Sequence, residues 1–501
     1  MYEYVKLILF CPKAIHLVVS EINNTMYSLF LQKSSENSYY EILVSNNIEN
    51  KRYGVKKMEQ TFMKEKKILP LVLSMSLPMV LSMLVNSLFN IVDSFFVAKL
   101  SEDAITALSL VYPVQITITA ISVGFGVGIN ALIAYYLGAK EQEKADKATS
   151  IGVGLSLIHG ILIMLICNLI FPRYISMFTT NESVITLGIR YARIVFLFSA
   201  VITVEIAIEK VFQSVGRMKE TMICMLTGFI ANIILDPILI FGVGPFAKMG
   251  IAGAAWATGI GQVLTLISYI VFYIVKPLPV RIKVRTIEWN SEIWGKLYSV
   301  GIPATLNLAL SSVLLSVING ILAVYGDAYV LVFGAYYKLQ SFIYLPSGGI
   351  IQGIRPLVGY NYGAGEKERV RKISQTALVM AALIMLVGTI LCFVIPKPLM
   401  SIFSKNPQTI LIGSSALRII SLGFIISAVS VTICGVLEGL GKGMPSLWIS
   451  LVRYIIVVIP LAFILSRIMN SEIGVWIAFP VTELIAAVIS VIVYKRQAGV
   501  K

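Results

Sequence analysis

The sequence predicts an all-α polytopic membrane protein, with twelve transmembrane helices in two pseudo-symmetric six-helix bundles around a central cavity. Three observations carry this. Of the 501 residues, 57% are hydrophobic and 13% charged, with a mean hydropathy of +0.84; such a chain has too little charge to cover its own surface and must use lipid as solvent. Apolar runs of about twenty residues recur along it, each long enough to cross a hydrocarbon core roughly 30 Å thick at about 1.5 Å per residue. The chain also repeats itself once: Pro78 returns as Pro303, Gly128 as Gly353, Gly138 as Gly363 and Gly216 as Gly441, each 225 residues on. Helix breakers held in register over that distance mark two copies of one helical unit, the architecture with which secondary transporters build a site between two halves.

The amino-terminal segment, 1–67, mixes polarities, is rich in Asn and Ser and holds no span. Its early apolar run LILF is cut by Pro12 and Lys13, too short for a signal peptide. A start at Met58 or Met63 would instead put the basic lead KKMEQTFMKEKK directly before the first span.

The first lobe, 68–276, carries spans near 70–97, 107–130, 148–171, 186–213, 220–243 and 251–275. In the first span Asn86, Asn90 and Asp93 follow at spacings of four and three, a polar stripe on one helical face. The second ends in GINALIAYYLGAK, and the loop after it is a solvated elbow. In the third, His159 has no neighbours to complete a metal shell and reads as a packing residue. The fourth holds Glu205 and Glu209 on one face, either an attraction for cationic substrate or, for Glu209 with Lys210, an interfacial pair near the helix end. In the fifth, Asn232 and Asp236 share a face, and Pro237 leaves the Ile233 carbonyl without its helical donor. The sixth enters as GIAGAAWATG, with Thr258 about seven residues in.

A basic, Pro-containing linker, 277–296, leads to the second lobe, 297–497, with spans near 297–325, 330–357, 372–396, 408–437, 446–469 and 474–494. The seventh span offers Asn307 and Asn319 but no carboxylate, and Glu438 lies at the end of the tenth. Lys338 and Arg355 in the eighth, Arg453 in the eleventh and Glu483 in the twelfth are expected as helix-to-helix pairs or snorkelling ends.

A net charge of +15 would suggest nucleic acid in a soluble protein, but here Lys and Arg gather in the amino-terminal segment, the even loops, the linker and the tail. That is a positive-inside pattern, which predicts a multi-pass cell-membrane protein with both termini cytoplasmic; it is expected to be surrounded by lipid, monomeric and without a nucleic-acid partner. Five scattered cysteines (Cys11, Cys167, Cys224, Cys392 and Cys434) form no CxxC pair, so no disulfide or zinc site is expected.

An ionised carboxylate in mid-membrane costs roughly 2.5–3.5 kcal/mol on insertion scales, so each needs a partner or a purpose. Counting residues from the span ends puts Asp93, Asn232, Asp236 and Thr258 at matching depth in the outer half of the first lobe. Such an oxygen-rich, nearly dry cluster suits a hard cation such as Na⁺. It also suits a proton, because burial and a like-charged neighbour both favour the protonated carboxyl. A structural, permanently protonated pair is the alternative.

VDSFFVAKL in the first span, GINALIAYYLGAK, QSVGRMK, NIILDPILIFG and EGLGKGMP together resemble the multidrug and toxic compound extrusion (MATE) family of cation-coupled efflux transporters, from about Leu69 to Arg496. NIILDPILIFG with Glu209 in IEKVFQSVG resembles the MepA-like subgroup. The resemblance implies two six-helix bundles exporting lipophilic, often cationic compounds in exchange for H⁺ or Na⁺, with no other cofactor. It places ion coupling at Asp93, Asn232, Asp236 and Thr258. Acidic residues that other members carry in the seventh and tenth spans are missing, which puts a second-lobe coupling site in doubt. The rival within the same superfamily is a lipid-linked oligosaccharide flippase, whose cavity resembles a basic one where this first lobe is acidic. Two histidines and no GxSxG or HExxH argue against a membrane enzyme, and no P-loop argues against direct ATP drive; a duplication alone leaves a channel open.

Overall fold

The computed structural model describes residues 61–283 and 290–498, and these are helical with short connections and no strand. The segment up to residue 60, including the possible start at Met58, and the linker residues 284–289 lie outside the described residues. The first lobe comprises α1 (Ile68–Ala98), α2 (Glu102–Gly138), α3 (Gln142–Ser176), α4 (Glu182–Leu197), α5 (Ser199–Ser214), α6 (Met218–Phe241) and α7 (Ile251–Val275). The second comprises α8 (Ser291–Ala323), α9 (Asp327–Gly363), α10 (Lys367–Val394), the short α11 (Pro396–Ser401), α12 (Pro407–Gly439), α13 (Gly443–Leu451), a π-helical turn (Val452–Ile456), α14 (Val458–Ile468) and α15 (Ile473–Ala498).

Each of the twelve expected spans is met by helix, and among the described residues ten helical stretches are long and apolar enough to cross a membrane. The fourth span departs from the expected single helix. It is two 16-residue helices that meet at Phe198. The eighth is α9, a 37-residue helix with Pro346 and Pro356 inside and Lys338, Gln340, Gln352 and Arg355 along it. The eleventh is interrupted by the π turn, an inserted residue's worth of slack that carries Arg453.

The connections follow from side-chain chemistry at the helix ends. Ser101 accepts from the Ala104 amide, and Asn181, Asn290 and Asn406 cap α4, α8 and α12, satisfying amides that the helix leaves orphaned. Gly216 and Gly441, partners in the repeat, both turn the chain at positive φ, 82° and 74°, which an L side chain resists.

The lobes meet through their first two spans: α2 lies against α8, and α1 and α2 lie against α9. The crossings are backbone to backbone and two-fold related. A Cβ on Gly128 would stand 2.5 Å from the Leu297 carbonyl oxygen, and one on its repeat partner Gly353 would stand 2.6 Å from Ser76 Cα. Gly124 meets Thr305 as Gly349 meets Val80, and Gly138 meets Tyr360 as Gly363 meets Tyr135. All lie where α1 and α8 begin and α2 and α9 finish, so the lobes are closed on each other at the end that carries the linker. His159, expected as a packing residue, supports this closure by bonding Tyr298 Oη on α8 at 2.7 Å, edge-on to Phe125. Cys167, Cys224, Cys392 and Cys434 are free thiols.

Candidate functional site

Two close helix approaches assemble the first-lobe cluster. Phe89 of α1 stacks on Phe229 of α6 at 5.4 Å and 8°, which fixes α1 one turn before Asp93 against α6 one turn before Asn232 and two before Asp236. On the other flank, Gly228 and Gly261 let α6 and α7 touch: a Cβ on Gly261 would lie 2.9 Å from the Gly228 carbonyl oxygen. This brings Thr258 to Asn232.

Asp236 is fully buried and Asn232 is 2% exposed, while Asp93 is half-buried. With its amide oriented by its surroundings, Asn232 donates to Asp236 Oδ2 at 3.1 Å and accepts from the Thr258 backbone amide at 3.0 Å. Asp93 and Asp236 interact electrostatically across the α1–α6 contact. Each keeps one buried oxygen, Oδ1, without any hydrogen-bond partner. Two unfilled carboxylate oxygens facing a dry interior are costly to leave unmade, and a proton or a bare cation satisfies them.

Two further residues complete the cluster. The hydroxyl of Tyr191 on α4 reaches Gln115 on α2 and Thr258, and it lies in the field of both carboxylates. Both enter from the same end of the lobe as Thr258, but neither carries a charge that would set it apart from ordinary lining in the sequence.

Asn86 and Asn90 lie on the Asp93 face but outside this cluster. Asn90 Nδ2 donates to Asn86 Oδ1 at 2.8 Å, and Asn90 is exposed. Leu84, Leu88 and Ile91, the exposed apolar residues of the same stretch, point to the opposite side of α1, so the asparagine stripe faces away from lipid.

Glu205 and Glu209 sit elsewhere, near the closed end. The expectation of an interfacial Glu209–Lys210 pair gives way to a buried one. Lys210, 3% exposed, donates to Glu209 Oε1 at 2.6 Å, and Gln213 donates to the same oxygen at 2.6 Å. Glu205, 5% exposed, lies in the field of that pair. Asn130 holds the turn by donating to the Lys210 carbonyl at 3.3 Å.

The second lobe places an ion pair at the repeat-equivalent positions of Asn130 and Gln213: Arg355 bonds Glu438 at 2.5 Å, tying α9 to α12. Asn307 and Ser446 donate to Glu438 Oε1 at 3.2 and 3.3 Å. Arg453 bonds Glu483 through Nε at 2.7 Å, tying the π turn to α15. Three of the four second-lobe charges left open by the sequence are therefore helix-to-helix pairs, while Lys338 is exposed.

The MatE family profile matches the chain at residues 78–238 and again at 303–464. The two matched segments open on Pro78 and Pro303, the first pair of the repeat. Curated relatives include the Multidrug export protein MepA of Staphylococcus haemolyticus (strain JCSC1435), 26% identical over 88% of this chain and 97% of that protein. The protein of the same name from Staphylococcus aureus (strain MRSA252) is 25% identical over 87% and 96%. Among solved structures, a MATE in the bent conformation superposes with a TM-score of 0.82 at 24% identity, over 88% of this chain and 98% of that one. An outward-facing multidrug resistance MATE family transporter of the MOP superfamily gives 0.81 at 23% over the same shares. With both halves matched by the family profile and twelve spans in two related bundles, the chain belongs to the MatE family.

Proposed function

We propose that this protein exports lipophilic, often cationic drugs or toxic compounds across the cell membrane in exchange for H⁺ or Na⁺, with Asp93 and Asp236 as the ion switch. Membership in the MatE family makes it a multi-pass membrane transporter, not an enzyme. The relatives named above for multidrug export support the substrate class. The observation that carries the coupling is the pair of buried, unpartnered carboxylate oxygens on α1 and α6.

Ion exchange follows from this chemistry. Asp93 is half-exposed and Asp236 dry, so an ion arriving at Asp93 can pass to an oxygen set completed by Asn232, Thr258 and Tyr191. One monovalent ion cancels one of the two like charges and so removes their repulsion across α1 and α6, which favours a closer approach of these helices. Release of the ion reverses it, and the lobe's shape is thereby tied to ion occupancy. One charge moving inward across about 100 mV supplies about 2.3 kcal/mol, and one pH unit adds about 1.4, together enough for a several-hundredfold gradient of an uncharged compound; for a singly charged compound exchanged one for one the electrical work cancels and about tenfold per pH unit is left. The positive-inside pattern supports cytoplasmic termini, which puts the closed end of the lobes at the cytoplasm.

The deciding experiment is transport of a fluorescent lipophilic cation by the full chain in vesicles with an imposed pH or Na⁺ gradient. Uptake against the gradient by wild type and none by Asp93→Asn is the expected result. Uptake independent of both ions, or wild-type rates in Asp93→Asn, overturns the coupling role.

A further inference from the structure

The second lobe contains a cavity of about 200 Å³ between α8, α9, the π turn and α15. Six aromatic side chains line it, among them Phe333, Tyr336, Tyr344 and Phe479, and the Arg453–Glu483 pair forms one wall. Its position is the counterpart of the first-lobe cluster. Gln340 in its lining is the repeat partner of Gln115, which stands beside Tyr191.

The polar groups of this cavity are incompletely used. Arg453 gives its Nε to one Glu483 oxygen and lays its guanidinium against the rings of Tyr454 and Tyr344, 5.1 and 5.8 Å from their centroids. Glu483 Oε2 is buried and has no hydrogen-bond partner of ordinary geometry, although the Ser430 hydroxyl approaches the carboxylate. Tyr336 Oη and Thr482 Oγ1, on residues 1% and 2% exposed, are likewise buried with no partner. Three buried polar groups without protein partners of ordinary geometry around one aromatic-walled space form an anchoring set for a polar ligand, since each group carries a desolvation cost that a ligand's hydrogen bond would offset. The chemistry of the set selects the ligand. Glu483 Oε2 only accepts, so the ligand must donate there. Arg453 and Glu483 cancel in charge, so neither sign of ligand gains from charge alone; an anion meets the second carboxylate oxygen, whereas an N–H donor meets an acceptor there and, if cationic, the faces of the surrounding rings. The walls ask for a flat ring, and a cavity of about 150 Å³ holds benzene, so this one takes one ring with a short polar substituent.

We propose that this second-lobe cavity is a ligand site, separate from the first-lobe carboxylates, which receives the aromatic N–H-bearing cationic head of an exported compound such as an aryl amidinium. It deepens the export reading by assigning substrate and ion to opposite lobes. The amidinium donates to Glu483 Oε2, its ring lies between the tyrosines and phenylalanines, and the Tyr336 and Thr482 hydroxyls fill its remaining polar edge.

The test is binding, read without transport: a ¹⁹F NMR titration of the purified full chain in detergent with 4-fluorobenzamidine, and with 4-fluorobenzoate as the anionic control. Wild type should bind the cation saturably and the anion not at all. Tyr336→Phe and Thr482→Val remove hydroxyls that nothing in the protein uses, so they should keep the fold while weakening binding about 3- to 10-fold each. Ser311→Phe, which fills the cavity, should abolish it, and Asp93→Asn should leave it unchanged. No saturable binding, binding indifferent to Tyr336→Phe and Thr482→Val, or binding lost with Asp93→Asn overturns the proposal. If vesicle transport fails while this titration succeeds, the export reading falls and the site stands.

Discussion

At the scale of single residues, the carboxylates of the two lobes are used in opposite ways. Among the described residues Asp93 and Asp236 are bonded to no cationic side chain, whereas Glu438 and Glu483 are each held by an arginine, Glu483 through one oxygen only. Replacing Asp236 by Asn should remove ion-driven transport while the protein still folds, because Asn keeps hydrogen bonding but neither exchanges a proton nor holds a cation strongly; equal transport and equal detergent-solubilised yield are the quantities to compare. Tyr191→Phe deletes one hydroxyl from the same cluster and should slow coupled transport about 3- to 10-fold, the worth of a single hydrogen bond. Breaking the other kind of carboxylate has a different signature. Glu438→Ala strands Arg355 in the interior and should cost about 3–5 kcal/mol of stability, whereas Arg355→Met with Glu438→Leu together should be far milder, as thermal unfolding in detergent would report. Asp93, Asn232, Asp236 and Thr258 were legible in the sequence because a polar residue in an apolar span announces itself and helical periodicity gives its depth. Tyr191 and Gln115 were not, since neither carries a charge that sets it apart from ordinary lining.

Among the elements, α1, α2, α8 and α9 carry the closure, and glycine is what lets them do so. Alanine at Gly128 or Gly353 puts a Cβ within 2.5–2.6 Å of a facing backbone atom, a distance at which the helices must part. Either substitution should loosen the closed end, raising the labelling rate of a cysteine placed at Ser76 or Thr305 by a small water-soluble thiol reagent. Alanine at Gly295, which has nothing within 4 Å, is the matched control and should change nothing. The sequence announced these glycines through the repeat itself, but periodicity could not say which helix each one faces. It also read the fourth and eleventh spans as continuous. The break at Phe198 answers to tertiary packing, with no proline or glycine to mark it, whereas the π turn ends at Ile456, four residues before Pro460, whose missing amide leaves that carbonyl without its helical donor.

For the molecule as a whole, orientation is the quantity that the charge pattern predicts and labelling decides. On a cysteine-free background, a cysteine at Glu182 should react in intact cells with a membrane-impermeant thiol reagent and one at Lys367 should not; the reverse pattern would place the closed end outside. The division of charges between the lobes then has an electrical consequence. In the second lobe Glu438 and Glu483 each carry their countercharge permanently in a bonded arginine, so these pairs contribute no movable charge to a cycle. Among the described residues Asp93 and Asp236, with Glu205 nearer the closed end, remain as span carboxylates without a bonded countercharge, and the Asp93–Asp236 cluster itself takes at most two monovalent ions per turnover. Export of a singly charged compound against one such ion would be electrically silent and driven by concentration alone, while two ions would make each turnover carry one net charge inward. Current recorded per molecule exported therefore counts how many of the two oxygen sets are filled.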